Sequence, residues 1–576
     1  MGRFNLLDEP WISVLAESGE KKEVSMLDFF KNAGDFLQIA GEMETQNFAV
    51  MRFLLSVVQT VFSRFDYNGE ELPGVVLDDN GRQTENVDED DRDEYCSSTA
   101  ECWENLYSGD KFPVVVCNYL EKWRDRFYLF DEVHPFFQVT KNEMNKIMSE
   151  IPGKDSPSPI YGKNINRTIS ESENKTALFS PIANIAIGKR SVKDVMSPAE
   201  LARWLIMFQG YSGLADKVAL TDKTQRSSKG WLFDLGGIFL QGRNVYETLV
   251  MNYMPESPTD NQAFIGRCQN PCWELTGIEV VENLCHKNFI DNLAELYTNW
   301  SRAIYIDPDT DMSAPVEIQV VKLPEIEHTE NSIEPMTMWK WNDKDPNKNH
   351  FTPKKHNPEQ SLWRNFGCIV LKSTNGDKKQ PQRQPGILAQ RMRIANSQRN
   401  SGLTDLVGVG MKDDGNATSW LPVNEVADSF RINNLLIENG NSDNSNDDWI
   451  IRINNAVETT KEIVSEKFRS FLRGISEIRN TPADSFTSAE TEKMYSIIDS
   501  AFKKWLVSIN PADSKEEKIK EWYAKLRTMV LRRGEELFDN STARDLTGIE
   551  KDGKLVNIAT RYWQFVGSIN KKLNKD

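Results

Sequence analysis

The sequence predicts an α+β protein. A large, irregular mixed domain covers residues 1–435, a linker or insertion covers 436–449, and a C-terminal four-helix bundle covers 450–576. Three observations predict this. Before residue 435, helical and strand-like runs are interleaved with long connections rich in Asn, Gly and Pro, not with the regular alternation of a βαβ sheet. The stretch "NNLLIENGNSDNSNDDW" (433–449) is compositionally simple and reads as an exposed connection. After it, apolar residues recur at helical spacing to the end of the chain.

In the first region, "TQNFAVMRFLLSVVQTVFSR" (45–64) and "PAELARWLIMF" (198–208) have helical periods. Ser197 is the expected N-cap of the second helix, and Pro198 its first residue. "IYID" (304–307), "EIQVVKL" (317–323) and "FGCIVLK" (366–372) read as strands. In the C-terminal region, 451–479 is the first expected helix. Thr487 with Glu490 has the capping-box spacing of a second, with Tyr495, Ile498, Phe502 and Trp505 inside. Ser514 with Glu517 starts a third, with Ile519, Trp522, Tyr523, Leu526, Met529 and Val530 as its stripe; 541–573 is the fourth. Pro482 and Pro511 separate them, and short connections make the bundle antiparallel.

The formal net charge of the 576 residues is −17, which argues against a free-standing nucleic-acid binder. The charge is uneven, +4 from Ile451 onward and −21 over the rest. Part of the acidity lies in "LDDNGRQTENVDEDDRDEYC" (77–96), which reads as a solvated loop. Seven Cys fit reduced thiols in a cytosol better than a disulfide framework. No apolar run reaches the roughly 18 residues of a membrane span. The N-terminus "MGRFNLLDEPWISV" has acidic residues where a signal peptide is apolar, so the expected location is cytoplasmic, with no membrane partner.

Catalytic motifs are absent: no HExxH, GxSxG or GxxxxGK[ST] occurs. His134, in "FDEVHPFFQV", reads as a structural turn residue. Cys268, Cys272, Cys285 and His286 have the chemistry of a metal site without the tight second knuckle of a zinc finger, and read as separate thiols. No cofactor and no enzymatic activity are expected. Two loops remain. "MFQGYSGLADK" (207–217) places Gly210 and Gly213 just after a helix, either as a C-cap or for close backbone approach to a ligand. "GVGMKDDGNATSWLP" (408–422) carries Asp-Gly, a strong hairpin signal, with a tip of small uncharged groups.

These residues resemble the large-subunit family (CasA) of the type I-E CRISPR surveillance complex, Cascade. "FNLLDEPWISV" is similar to that family's opening, and "RFYLFDEVHPFFQV" (126–139) to its aromatic–His-Pro-Phe segment. "NKTALFS" (174–180), then "FQGYSGLADK", resemble its guide-proximal and glycine loops, and "LYTNWSRAIYI" (296–306) its Y-x-x-W-x-S-R strand region. The resemblance implies a non-catalytic subunit near the 5′ handle of the guide RNA that checks double-stranded target DNA for a protospacer-adjacent motif (PAM). It implies that the glycine loop, Gly210, Tyr211, Ser212 and Gly213, reads the minor groove, with Lys322 as the minor-groove lysine. It puts Gly415, Asn416, Ala417 and Thr418 on the tip of a wedge hairpin that splits the first target base pair to start the R-loop. The family has Asn-Gln where Gly-Asn stands here. Phe179 falls on the guide-proximal loop. The implied partners are the other Cascade subunits, the guide RNA, target DNA and a helicase–nuclease recruited afterwards. Two other readings are a metal-dependent nuclease built on Cys268, Cys272, Cys285 and His286, and a pure docking scaffold.

Overall fold

The computed structural model describes residues 2–165, 169, 194–221, 225–255, 264–287, 289–327, 333–344, 348–374, 381–394, 402–438 and 448–573. The chain forms two compact units. The first contains Met1–Pro358, Ser373–Arg393 and Val407–Asp428; the second contains Glu359–Lys372, Ile394–Leu406 and Ser429–Asp576. The division is therefore not a single cut at 436–449, because two earlier segments group with the helices.

In the first unit, helix α1 (Glu44–Phe62) is buried on nearly every side. Its apolar residues are spread round the helix and are not confined to one stripe, and such helices run through cores. The single cation of α1, Arg52, is buried and forks onto Glu334 with two 2.7 Å bonds. Burial pushes the Glu334 carboxyl up, but Arg52 and the Trp231 indole N–H outweigh it and hold it below the usual range. The N-terminus of α1 has no cap of its own. Glu425, from far along the chain, supplies one, accepting from Thr45 N and Oγ1 (both 2.9 Å) and Glu44 N (3.2 Å). Helix α2 (Pro198–Gly210) starts as expected, with Ser197 and Glu200 forming a capping box, and packs on α1.

Two three-stranded sheets position the site. In one, β1 (Ser158–Tyr161) and β3 (Arg302–Tyr305) flank β4 (Glu317–Lys322), all antiparallel, with Arg302 opposite Lys322. In the other, β5 (Leu403–Asp413) lies between β2 (Gly237–Gln241) and β6 (Pro422–Asn433).

Several expectations are corrected. "FGCIVLK" is not a strand; Phe366–Val370 is a short helix. Its buried residues, Phe366, Ile369 and Val370, stand at helical spacing, and a run this short carries no decisive period. The acidic 77–96 segment is not merely solvated. Leu72, Val75, Val87 and Tyr95 form a small buried cluster with Leu77 and Ile265 packed on it, and Arg92–Ser108 is a helix. Apolar residues spaced among the carboxylates anchor the loop. Within 433–449, Asn434–Glu438 is helical with Leu436 and Ile437 buried, and Asp448 caps the next helix; 439–447 lie outside the described residues.

The second unit holds the four-helix bundle. Its first helix runs as α3 (Trp449–Glu462), a π-helical turn (Ile463–Phe468) and α4 (Arg469–Arg479), ending at Asn480 in the left-handed region. Helix α5 (Ala483–Val507) begins before Thr487. Thr487 is therefore not a cap: it is buried and its hydroxyl donates back to Asp484 O (3.3 Å), the bond of a mid-helix Thr. Ser514 does cap α6 (Lys515–Asp539), accepting from Glu517 N (3.3 Å). The fourth helix, expected over 541–573, is α7 (Ile558–Leu573), preceded by a short helix and a hairpin. Asp552 and Gly553 both have positive φ (50° and 69°) between paired Lys551 and Lys554, the tightest hairpin turn available. The core stacks Trp505 on Trp522 (5.3 Å), with Phe502 edge-on to Trp522 (5.0 Å). The stripes expected for α5 and α6 are buried, except that Met529 is half-buried.

Candidate nucleic-acid interface

The 408–422 segment is a hairpin, but not a two-residue turn on Asp-Gly. Strands β5 and β6 end at Asp413 and Pro422, leaving an eight-residue loop. Asp414 organises it. Its N–H donates to Leu421 O (3.0 Å), and its carboxylate accepts from Asn416 N (3.0 Å), Leu421 N (3.2 Å) and Ser419 Oγ (3.1 Å). Asn416 makes the next turn: its carbonyl accepts from Ser419 N and Trp420 N, and its Oδ1 from Thr418 N (3.0 Å). Each short polar side chain bonds to backbone two residues on, as Asn and Asp do in turns. Asp414 through Thr418 are exposed, so the expected tip is at the surface. It is blunt, small and held by its own hydrogen bonds.

The two feet of the loop are fixed. Asp413 accepts from Lys355 Nζ (2.7 Å). Burial pushes the Asp413 carboxyl up, but Lys355 and the Gly415 N–H more than offset it and hold it below the usual range. At the other foot Trp420 has φ +44°. Its ring lies under Lys229 Nζ, 4.7 Å from the centroid.

The glycine loop meets this hairpin directly. Helix α2 ends at Gly210, and Tyr211 is the C-cap, so Gly210 is not a left-handed cap. A Cβ on Gly210 would lie 2.8 Å from the Leu232 side chain, while the close backbone crossing here needs Gly230, whose Cβ would lie 2.4 Å from Gly210 C and O. Gly213 has φ +69°, and a Cβ there would lie 2.6 Å from Trp420 O and 3.3 Å from Pro422. Leu214 N donates to Ser419 O (2.7 Å). The two elements singled out in the sequence are thus one contiguous structure.

Arg302, which sequence reasoning did not select, holds the loop from inside. It is fully buried and donates to Gly213 O (2.6 Å), Ser228 O (2.7 Å), Ser301 O (2.8 Å) and Asp216 Oδ1 (2.9 Å). Burial lowers its pKa and Asp216 opposes that. Gln209 locks the same corner, accepting from Ser301 N (2.8 Å) and Arg302 N (3.0 Å) and donating to Arg302 O (3.0 Å). The only sequence signal of Arg302 was its place in "LYTNWSRAIYI".

The other sequence candidates fall as follows. Gly210, Tyr211, Ser212 and Gly213 are all buried, and burial pushes the Tyr211 hydroxyl pKa well up. The nearest exposed positions are Ala215 and Lys217, with Leu214 half-buried. Lys322 is half-buried beside this corner, its backbone bonded to Val218 and Leu220; burial, then Arg302, lower its pKa while Asp216 opposes. Phe179 lies outside the described residues. Among the described residues no group of three or more His, Cys, Asp or Glu could hold a metal ion, so Cys268, Cys272, Cys285 and His286 are not brought together. Burial pushes the Cys272 thiol up to about 12. His134 N donates to Asp131 in a turn and its ring meets Arg126 (3.0 Å), a structural role. Among the described residues no helix is long and apolar enough to cross a membrane.

Comparison with known proteins decides the family. The model of the family "CRISPR-associated protein Cse1" matches residues 5–533. The chain belongs to the Cse1 family. A CasA/Cse1 protein of Thermus thermophilus is 26% identical over 276 residues, which is 47% of this chain and 42% of that relative. The structure of Thermobifida fusca Cse1 superposes with a TM-score of 0.72 at 21% identity, covering 99% of this chain and 98% of that one. A chain of a CRISPR RNA-guided surveillance complex superposes with a TM-score of 0.63 at 14% identity, covering 98% and 99%. The Cse1 fold is thus matched along its whole length, bundle included.

Proposed function

We propose that this Cse1-family chain is the non-catalytic large subunit of a type I-E Cascade complex, reading the PAM through the minor groove and wedging the duplex open beside it. One observation supports this above the rest: a small exposed hairpin tip, hydrogen-bonded within itself, stands on a braced base keyed into the glycine loop. Because Gly210–Gly213 are buried, we assign the groove contact to the neighbouring exposed Ala215 and Lys217 and the tip, with Gly210–Leu214 as their support. The minor groove offers a degenerate donor and acceptor pattern, which backbone groups and small side chains can read. Exposed Lys217 and Arg226 and half-buried Lys322 flank this surface and suit phosphates.

Unstacking one step costs a few kcal/mol. The tip has only to hold the bases apart until the guide pairs, and guide pairing carries the remaining specificity. The chain's charge of −17 fits work inside an assembly whose other subunits line the nucleic-acid channel. The helical unit is the proposed contributor to helicase–nuclease recruitment, and the expected setting is the cytoplasm. Co-expression with the remaining subunits and a CRISPR RNA tests the reading. The expected result is one complex containing the chain and a guide RNA of uniform 5′ handle; a chain that purifies alone, and binds duplex without motif preference, contradicts it.

A further inference from the structure

We infer that the glycine loop and the hairpin tip act as one rigid block, and that a clasp of Lys229, Asp234 and Lys355 is what positions it. The inference rests on the reading of both elements as duplex-facing, and adds which residues set their spacing.

The feet of the loop, Asp413 and Trp420, are gripped separately. Lys355 bonds Asp413 (2.7 Å) and Lys229 lies over the Trp420 ring (4.7 Å). The two lysines converge on one carboxylate: Asp234 Oδ2 is 2.5 Å from Lys229 Nζ, and Oδ1 is 3.9 Å from Lys355 Nζ. The Phe233 ring lies under both ammonium groups, at 5.7 Å and 4.3 Å. Lys229 is also tied to the glycine loop, since its carbonyl accepts from Gly213 N (3.1 Å). One residue therefore touches the loop through its backbone and the hairpin through its side chain. Both lysines are largely covered, with side chains 15% and 27% exposed, so phosphate contact is not their role.

The contacts already described close the block from the other side: Leu214 N on Ser419 O, and Gly213 against the Trp420 carbonyl. A wedge that must enter at the base step next to the motif needs a fixed distance from the groups that read it. Two elements tied at both feet and along the backbone keep that distance. A hinged wedge would lose the register, and with it the link between reading and opening.

A disulfide lock in the assembled complex tests this. With Leu214→Cys and Ser419→Cys, the oxidised complex is expected to open the first target base pair, read by 2-aminopurine fluorescence, within about twofold of the reduced complex. Loss of opening on oxidation, with duplex binding retained, overturns the inference, because the elements then have to move apart. Asp234→Ala is expected to slow opening about tenfold and to blunt motif discrimination, the size of effect that a lost cation contact and a loosened foot carry. Assembly and total DNA affinity stay within about twofold of wild type. The disulfide lock restores opening in Asp234→Ala, which a merely destabilised fold would not allow. If Asp234→Ala fails to assemble, Lys229→Met is the second variant, with the same expectation and Lys229→Arg as its rescue. Wild-type opening and discrimination in these variants overturn the clasp. Deleting residues 415–418 separates the two failures: if that deletion leaves opening intact, the wedge reading itself is wrong; if it abolishes opening while Asp234→Ala does not, only the clasp is wrong.

Discussion

The carbonyl of Gly213 is held by the buried guanidinium of Arg302 at 2.6 Å. The same guanidinium meets Asp216 and two further carbonyls, so one side chain fixes three backbone segments around the glycine loop. Arg302→Met removes the partner of a buried carboxylate and the donor of three carbonyls. The expected loss is about 3–5 kcal/mol of stability, read by denaturant unfolding. Arg302→Lys cannot reproduce the fork and falls between the two. A wild-type midpoint for either variant contradicts this role.

Gly213→Ala puts a methyl where only 2.6 Å separates the position from Trp420 O, at φ +69°. The left-handed strain alone is about 1–2 kcal/mol, and the carbonyl has to retreat. Slower duplex opening with normal subunit assembly is the expected outcome, measured on the purified complex. Gly415→Ala is the control: φ is +71° there, but nothing lies within 4 Å, so only the strain applies.

Glu425, in β6, caps α1. Glu425→Ala leaves the first N–H groups of α1 without their carboxylate, at a cost of about 1 kcal/mol. Amide hydrogen exchange should quicken at Glu44 and Thr45 before it changes in the middle of α1. Uniform quickening along the helix, or none, argues against the cap.

Asp545 sets a pH dependence in the helical unit. The Arg479 fork (2.8 and 2.7 Å) holds its carboxyl down to about 2, although burial opposes. An unfolded aspartate titrates near ~3.9. The folded value is the lower one, so the stabilisation is complete above pH ~4 and is lost as the pH falls through ~2. Asp545→Asn should cost about 2 kcal/mol at neutral pH, and the gap to wild type should close between pH ~4 and ~2. A gap that does not change with pH rules this out.

Much of the fold could be read from the sequence because its signals were local. Ser197, Pro198 and Ser514 mark helix starts through bonds made within one turn. The failures share a cause. Thr487 with Glu490 matches a capping box, but Pro482 starts the helix earlier and the pair is spent inside it. Asp-Gly occurs twice, and only at 552–553 do both residues have positive φ; at 414–415 the Asp414 side chain nucleates a wider loop. The candidate site stood in the sequence as two separate loops. Their union was not, since Arg302, Lys229, Asp234 and Lys355 act across gaps of tens to hundreds of residues and belong to no short motif. The burial of Gly210–Gly213 was equally hidden, because a glycine that permits a backbone crossing looks like one that faces a ligand.

Opening of the first target base pair by the assembled complex lacking residues 415–418 tells a wedge from a bystander loop. A 2-aminopurine at that step reports unstacking, and a gel-shift on the same samples reports binding. The guide-bearing complex is expected still to form and still to bind motif-containing duplex, while the fluorescence rise disappears. An undiminished rise in that deletion contradicts it.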